Sequence, residues 1–327
     1  MKSRIVTIAL IQVVIVAVII VSPAIGAIKL RIATGGQNGT YYKFGEDIRL
    51  LGSENGLDIE IIESQGSLHN YEMLNSKQVE LAIMQADAMA FISDSDKQAP
   101  DKLRVLLPLY TEELHLLASR RIKCVGDLMK KKIAMGKFGS GTYISTNQVL
   151  FANYVGDIDK LFDYTYEAAI KMLLTNKIDA MTLVAGKPVP LFQKLEKIKD
   201  DPKLSELLKN LHFVPITNKK LFAQYYEPAT LDVSDYSWIE APVPTVCTRA
   251  VLVHYEDSLA VTPSENAKDM EIAKLLKVIK SNISRLQQAG HPKWNEVDFS
   301  APSIKGWRTD SAVQQEGNVN KLDSLFK

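Results

Sequence analysis

Two short stretches of this 327-residue chain have the residue types and spacing to hold a small anion. The first, Thr34-Gly35-Gly36-Gln37-Asn38-Gly39-Thr40-Tyr41-Tyr42, directly follows a β-rich run and opens a helical pattern. Glycines there let backbone N–H groups turn into a concavity, and a helix start adds partial positive charge, so the turn suits an anion. A plain tight connection from strand to helix would need the same glycines. In the second, Lys132–Gly136 runs into Lys137-Phe138-Gly139-Ser140-Gly141-Thr142 and then a helix from Tyr143. Ser140 or Thr142 can cap that helix or offer a hydroxyl to a carboxylate. It is not a dinucleotide fingerprint, because the next expected glycine position is Ile144, and no Gly-Lys-Ser/Thr follows to make a P-loop. Three more strand ends bring small or polar residues to the same crevice: Ser64-Gln65-Gly66-Ser67, Gln85-Ala86-Asp87, and Val184-Ala185-Gly186 before Lys187-Pro188. Asp87 reads most simply as a helix cap, and Ser67 as an N-cap with room for a second use.

Catalytic chemistry finds less support. His69, His115, His212, His254 and His291 lie far apart with no pair at metal-ligand spacing, so no zinc site is expected. Ser140 lacks the preceding glycine of a nucleophile elbow, since that position is Phe138. Glu63 and Asp87 could act as an acid/base pair only if the fold joined them. The expectation is therefore no catalytic residue, no metal ligand and no cofactor, with Arg31, Arg49, Arg104, Arg120, Arg121 and Arg249 as secondary contributors to anion binding.

The elements that must position these turns alternate as in βαβ units. Strands are expected at Lys29–Ala33, Asp58–Glu63, Glu80–Gln85 and Leu103–Leu109, with helices at Tyr42–Leu51, Leu68–Asn75 and Asp87–Ile92. A second series follows: strands at Leu114–Ala118, Lys132–Gly136, Phe162–Tyr166, Ile178–Val184 and Leu211–Val214, helices at Tyr143–Ala152 and Glu167–Asn176. Thr245–His254 is a further β-branched run, and Ala267–Gln288 has the apolar period of one long helix. The tail from Thr309 is polar and reads as frayed or as a short surface helix. No repeat and no Gly/Ser linker separates the two series, so crossing strands should join them.

Composition agrees with two compact lobes: 46% of residues are hydrophobic and 24% charged. Lys2 and Arg4 precede an apolar run, Ile5–Val21, that ends in Ser22-Pro23-Ala24-Ile25-Gly26-Ala27, the pattern of a secretory signal. Cleavage close to Ala27 is expected, an uncleaved anchor being the rival. Loss of residues 1–27 takes the net charge from +1 to −1, and a near-neutral surface gives no support for a nucleic-acid partner. Export permits a disulfide between Cys124 and Cys247, with two buried free thiols as the alternative.

The blocks Ala33-Thr34-Gly35-Gly36, Gly39-Thr40-Tyr41-Tyr42, Gln65-Gly66-Ser67, Leu81–Asp87, Leu109-Tyr110, Glu113-Leu114-His115-Leu116, Gly139-Ser140-Gly141-Thr142 and Val184-Ala185-Gly186-Lys187-Pro188 occur in the order found in TAXI-type solute receptors of TRAP transporters. The resemblance covers about Ile28 to His254. It implies a two-lobed α/β fold of the type II periplasmic-binding-protein class, each lobe a mostly parallel sheet flanked by helices, with the ligand cleft between lobes. It also implies an extracytoplasmic receptor, not an enzyme, with a small carboxylate as ligand and the membrane subunits of a sodium-driven transporter as partner. Lobe 1 would comprise residues 28–112 and 250–308, and lobe 2 residues 113–249. Ligand contacts are expected at Thr34, Gly35, Gly36, Asn38, Gly39, Thr40, Tyr41, Gly66, Ser67, Gln85, Asp87, Gly139, Ser140, Gly141, Thr142, Val184, Ala185 and Gly186. The family's C-terminal His-Pro-Gly-Ala stretch is replaced here by Ala301-Pro302-Ser303-Ile304-Lys305-Gly306-Trp307-Arg308. Two other classes stay open, an exported α/β enzyme acting on a small acid and a membrane-tethered ligand-sensing domain.

Overall fold

The computed structural model describes residues 28–310 apart from 163, 200, 203, 224, 257–262 and 300–303; the expected export segment lies outside them. In chain order the first elements are β1 (Lys29–Ala33), α1 (Thr40–Glu54), β2 (Asp58–Ile62), α2 (Ser67–Asn75), β3 (Leu81–Gln85), α3 (Ala88–Ser95), α4 (Ala99–Lys102) and β4 (Leu103–Ser119). Then come β5 (Lys132–Ala134), α5 (Gly141–Ala152), β6 (Asp159–Leu161), α6 (Tyr166–Leu174), β7 (Ala180–Ala185), α7 (Pro190–Gln193), α8 (Glu196–Lys199), α9 (Ser205–Lys209), β8 (Leu211–Phe213) and β9 (Glu227–Leu231). The chain closes with β10 (Val243–Tyr255), α10 (Pro263–Ser281), α11 (Ile283–Ala289) and β11 (Arg308–Thr309).

The strands lie in the order β2-β1-β3-β10-β4-β7-β5-β6, which reads alike from either end. On one side β2, β1 and β3 run parallel and β10 joins antiparallel; on the other β6, β5 and β7 run parallel and β4 joins antiparallel. Each lobe thus borrows a strand whose chain continues into the other. At 17 residues, β4 is roughly 55 Å long, more than one lobe needs. Its first part pairs with β10 and its second, Glu113–Ala118, with β7.

Two apolar cores flank each half of the sheet. Phe44, Ile48, Leu275 and Ile279 cover one face of the β1–β3 half, and Leu74, Met89 and Ile92 cover the other. Around β5 and β7 the same division places Val149 and Leu150 on one face and Ala169, Ile170, Leu173 and Phe192 on the other.

Five expectations need correction. Leu103–Leu109 and Leu114–Ala118 are one strand, because Pro108 sits beside an irregularity in the β10 register, where a missing N–H is tolerated. The strand expected at Phe162–Tyr166 ends at Leu161, since the Thr165 side chain accepts from Ala168 N–H and starts α6. The long final helix is two helices that meet at Asn282. Thr309, expected to begin a frayed tail, pairs with Val105, and Asp310 bonds His254 at 2.9 Å. Cys124 is an exposed free thiol and Cys247 a buried one, which matches neither alternative.

Candidate functional site

The residues after β1 are mostly engaged by the fold. Thr34 is fully buried; its N–H and hydroxyl both donate to the Ile62 carbonyl, and its own carbonyl accepts from Ser64 Oγ and Asn70 Nδ2. Gly35 is half-buried, while Gly36, Asn38 and Gly39 form an exposed turn closed by Gly39 N–H donating to Gly36 O at 2.7 Å. Thr40 opens α1, and the Tyr41 hydroxyl donates to Glu112 Oε2 at 2.7 Å.

Across the cleft the N-terminus of α5 meets the ends of β3 and α2. Gly66 stands at φ 111°, and a Cβ there would lie 3.3 Å from the Ser140 Cα. Leu68 N–H donates to Gly139 O at 3.2 Å, so the two turns are pinned together. Gly141 is tighter still: a Cβ on it would fall 1.4 Å from Gln85 Oε1, which fills that space. Ile144 of α5 enters the core formed by Met84, Ala88 and Met89.

Four sequence assignments resolve here. Ser140 is the cap, its Oγ accepting from Tyr143 N–H. Thr142 Oγ1 is taken by the protein, accepting from Val184 N–H at 3.0 Å and Tyr166 OH at 3.2 Å. Ser67 is the first residue of α2 and no cap; its hydroxyl accepts Gln85 N–H at 3.1 Å. Asp87 precedes α3 in a helical backbone conformation, which cannot turn its side chain onto the helix start. Its Oδ2 instead accepts from Ser145 Oγ and, at 2.6 Å, from Tyr226 OH, while Gln148 Nε2 donates to its carbonyl. Ala185 pairs with Glu113, and a Cβ on Gly186 would lie 2.5 Å from Lys293 Cε.

Sequence reasoning missed the floor of the cleft. Glu112 and Glu113 lie on β4 where it crosses between lobes, and two adjacent carboxylates inside an apolar strand were the available signal. Burial pushes the Glu112 carboxyl up to about 8, against the Tyr41 hydrogen bond and with help from Asp87 and Glu113. Burial likewise pushes Asp87 up to about 6, with Ser145 and Tyr226 opposing. Glu113 is raised by burial too, Lys293 working against it, and its Oε2 accepts Lys187 N–H at 2.8 Å. Lys293 donates to Glu296, whose other oxygen accepts from Thr111 N–H and Oγ1.

Four of the arginines are engaged elsewhere: Arg31 pairs with Glu80, Arg49 with Glu46, Arg104 with Glu256 and Arg120 with Glu240, whereas Arg249 lies on β10 opposite Thr111, with its carbonyl accepting Ala86 N–H. His115 is a core residue of lobe 2, accepting from Tyr236 OH at Nε2, and burial lowers it to about 4. Among the described residues no three His, Cys, Asp or Glu side chains gather as metal ligands. Gln85 Oε1 and Nε2, Asp87 Oδ1, Gln148 Oε1 and Thr248 Oγ1 are buried without a hydrogen-bond partner. Buried polar atoms are nearly always satisfied, so these atoms, contributed by the end of β3, by α5 and by β10, are candidates for contact with a ligand or with ordered water.

The model of the NMT1-like family matches residues 32–297. Among solved structures, a protein of Bordetella bronchiseptica RB50 aligns over 90% of this chain and 98% of its own at 13% identity, with a TM-score of 0.52. A Xanthomonas citri protein solved with ATP aligns over 89% and 94% at 13% identity (TM-score 0.49). The GluR0 ligand-binding core from Nostoc punctiforme, in complex with L-glutamate, aligns over 79% and 98% at 18% identity (TM-score 0.43). The strand order, with one antiparallel strand crossing into each half, is that of a type II periplasmic-binding-protein fold.

Proposed function

This chain belongs to the NMT1-like family, and from that premise we propose that it is an extracytoplasmic solute receptor that closes two lobes on a small carboxylate and delivers it to a TRAP-type transporter. Lobe 1 is taken as residues 28–112 and 250–308, lobe 2 as 113–249. The observation that carries the reading is the meeting of Gly66, Gln85 and Asp87 with the start of α5, where buried polar atoms stay unpaired. A ligand held there touches both lobes and stabilises the closed form by its extra contacts. Its carboxylate has the first-turn amides of α5 and the cation of Lys293 to meet it. The order of turn motifs along the chain favours a TRAP-type partner, and the charged, apolar, small-residue start favours export. Among the described residues no helix is long and apolar enough to cross a membrane.

A heat-stability screen of the purified protein against carboxylates, amino acids and sugars tests this. A ligand at 100 times its Kd should add about 2.7 kcal/mol. A response confined to neutral sugars would overturn the carboxylate. Sodium-dependent uptake by reconstituted TRAP membrane subunits that needs this protein tests the partner. The buried carboxylates Asp87 and Glu112 also favour a second reading, acid/base turnover of a small acid, which product analysis of the same incubations would reveal.

A further inference from the structure

The near-neutral charge of the chain is unevenly spread. Residues 121–132, 151–159 and 217–223 carry seven Lys and Arg against three Asp, a net +4 on a chain whose total is +1. The fold gathers these segments at one end of lobe 2. Strands β5, β6 and β7 run parallel and α5 starts at the cleft, so the end of α5 and the starts of those strands face away from it. The 12 residues of α5 put that end about 18 Å from the cleft. Lys130 N–H donates to Asp157 O at 2.6 Å, Asp159 N–H to Lys131 O at 2.9 Å, and Asn218 Nδ2 to Ala152 O at 2.7 Å. Lys130, Lys219 and Lys220 are exposed, while the Asp127 carboxylate is occupied in accepting the Lys123 and Cys124 N–H groups.

Two aromatic side chains stand among these lysines. Phe151 is 81% exposed and Tyr154 76%, one turn apart at the end of α5. A single exposed ring needs no explanation, but here two project together. The Lys220 ammonium sits 4.6 Å from the centre of the Tyr154 ring and donates to its hydroxyl, and a Cβ on Gly156 would meet nothing within 4 Å, so the tip is open on that side. Protein interfaces are depleted in lysine, whereas projecting rings ringed by lysines match the headgroup layer of a bilayer, where aromatics settle and ammonium groups meet phosphates. We propose that this end of lobe 2 rests on an anionic phospholipid surface, with Phe151 and Tyr154 set among the headgroups and Lys130, Lys219 and Lys220 on the phosphates. The export pattern brings the chain to a bilayer whether Ile5–Val21 is cut away or kept. The cleft, at the other end of α5, stays clear of the lipid, so this contact is independent of the solute that the cleft takes.

The test is co-sedimentation of the full mature chain, begun at Ile28, with vesicles of phosphatidylglycerol and phosphatidylcholine in equal parts and with vesicles of phosphatidylcholine alone. Binding to the anionic vesicles should be roughly tenfold tighter or more and should fade as sodium chloride is raised. Phe151→Ser with Tyr154→Asn should lower it about tenfold, and so should Lys130→Asn with Lys219→Gln and Lys220→Gln, since each lysine near an anionic surface is worth roughly a fivefold change in affinity. Asn is chosen at positions 130 and 154 because both have positive φ, which Asn tolerates. All five side chains are exposed, so circular dichroism and the urea midpoint should not change. Met270→Ser, at a similarly exposed residue of α10, should bind vesicles as the parent does. No binding to the anionic vesicles, equal binding to both lipids, binding that survives both sets of substitutions, or an equal loss in Met270→Ser overturns the proposal. So does a patch variant that binds vesicles like the parent but loses uptake with the reconstituted membrane subunits, which would give the surface to a protein partner.

Discussion

At the scale of single residues, close approach separates two glycines that look alike in sequence. At Gly66 the backbone has a φ of 111° and faces the Ser140 backbone, so a side chain there is strained and obstructed by atoms that cannot step aside. At Gly141 the obstruction is the far end of the Gln85 side chain, which can rotate. Gly66→Ala should therefore cost about 1–3 kcal/mol in urea unfolding. Gly141→Ala should stay within about 1 kcal/mol of the parent yet weaken ligand binding, because it displaces Gln85. Equal stability losses would show that the two turns are not packed as described.

Asp87 supplies the pH dependence at the same scale. Its carboxyl is raised from 3.8 to about 6, so between those values the folded state holds its proton more firmly than the unfolded chain does. The contribution to stability is intact below about pH 4 and is lost as pH rises toward 6, an order-of-magnitude difference of about 3 kcal/mol. Asp87→Asn has no such proton to lose. In chemical unfolding followed from pH 4 to 6.5, the parent should weaken relative to this variant. Parallel curves would rule out the buried, destabilised carboxylate.

At the scale of elements, the segment around β11 acts as a strap. Trp307 is buried, and its indole N–H donates to Ala86 O at 2.8 Å, directly behind Gln85 and Asp87. Arg308 and Thr309 pair with β4, and a Cβ on Gly306 would press on the Tyr225 ring, beside the Tyr226 that bonds Asp87. The C-terminal region that departs from the TAXI pattern thus backs the cleft. Trp307→Phe keeps an aromatic ring but removes the shorter of the two hydrogen bonds to the Ala86 carbonyl, leaving Met89 N–H at 3.3 Å, and should lower stability by about 1 kcal/mol. An unchanged urea midpoint would show the strap to be superficial.

At the scale of the whole molecule, Asp87 is a knot between lobes, tied by Ser145, Tyr226 and Gln148. Removing two of these donors in a Ser145→Ala, Tyr226→Phe double variant leaves a buried carboxylate less satisfied and favours the open form, where water can reach it. Small-angle scattering of the ligand-free variant should give a larger radius of gyration than the parent, and saturating ligand should narrow the difference. Identical ligand-free curves would mean that closure does not depend on this knot.

The sequence by itself determined the alternation of elements, the two glycine-rich helix starts and the two-lobed class, because these rest on local periodicity and turn chemistry that neighbouring residues specify. Tyr41, Gln85 and Asp87 were legible as site candidates because they sit at strand ends or helix starts. Their partners were not: Glu112, Ser145, Tyr226, Thr248 and Lys293 lie as many as 206 positions from Asp87 in the chain. Nothing in local spacing announces that β4 runs unbroken past Pro108 and lays two carboxylates along the cleft floor, or that Thr142 spends its hydroxyl on Val184. Only the tertiary structure decided these points, since burial and pairing are properties of groups brought together across the fold, and they set which atoms remain open to a ligand and with what charge.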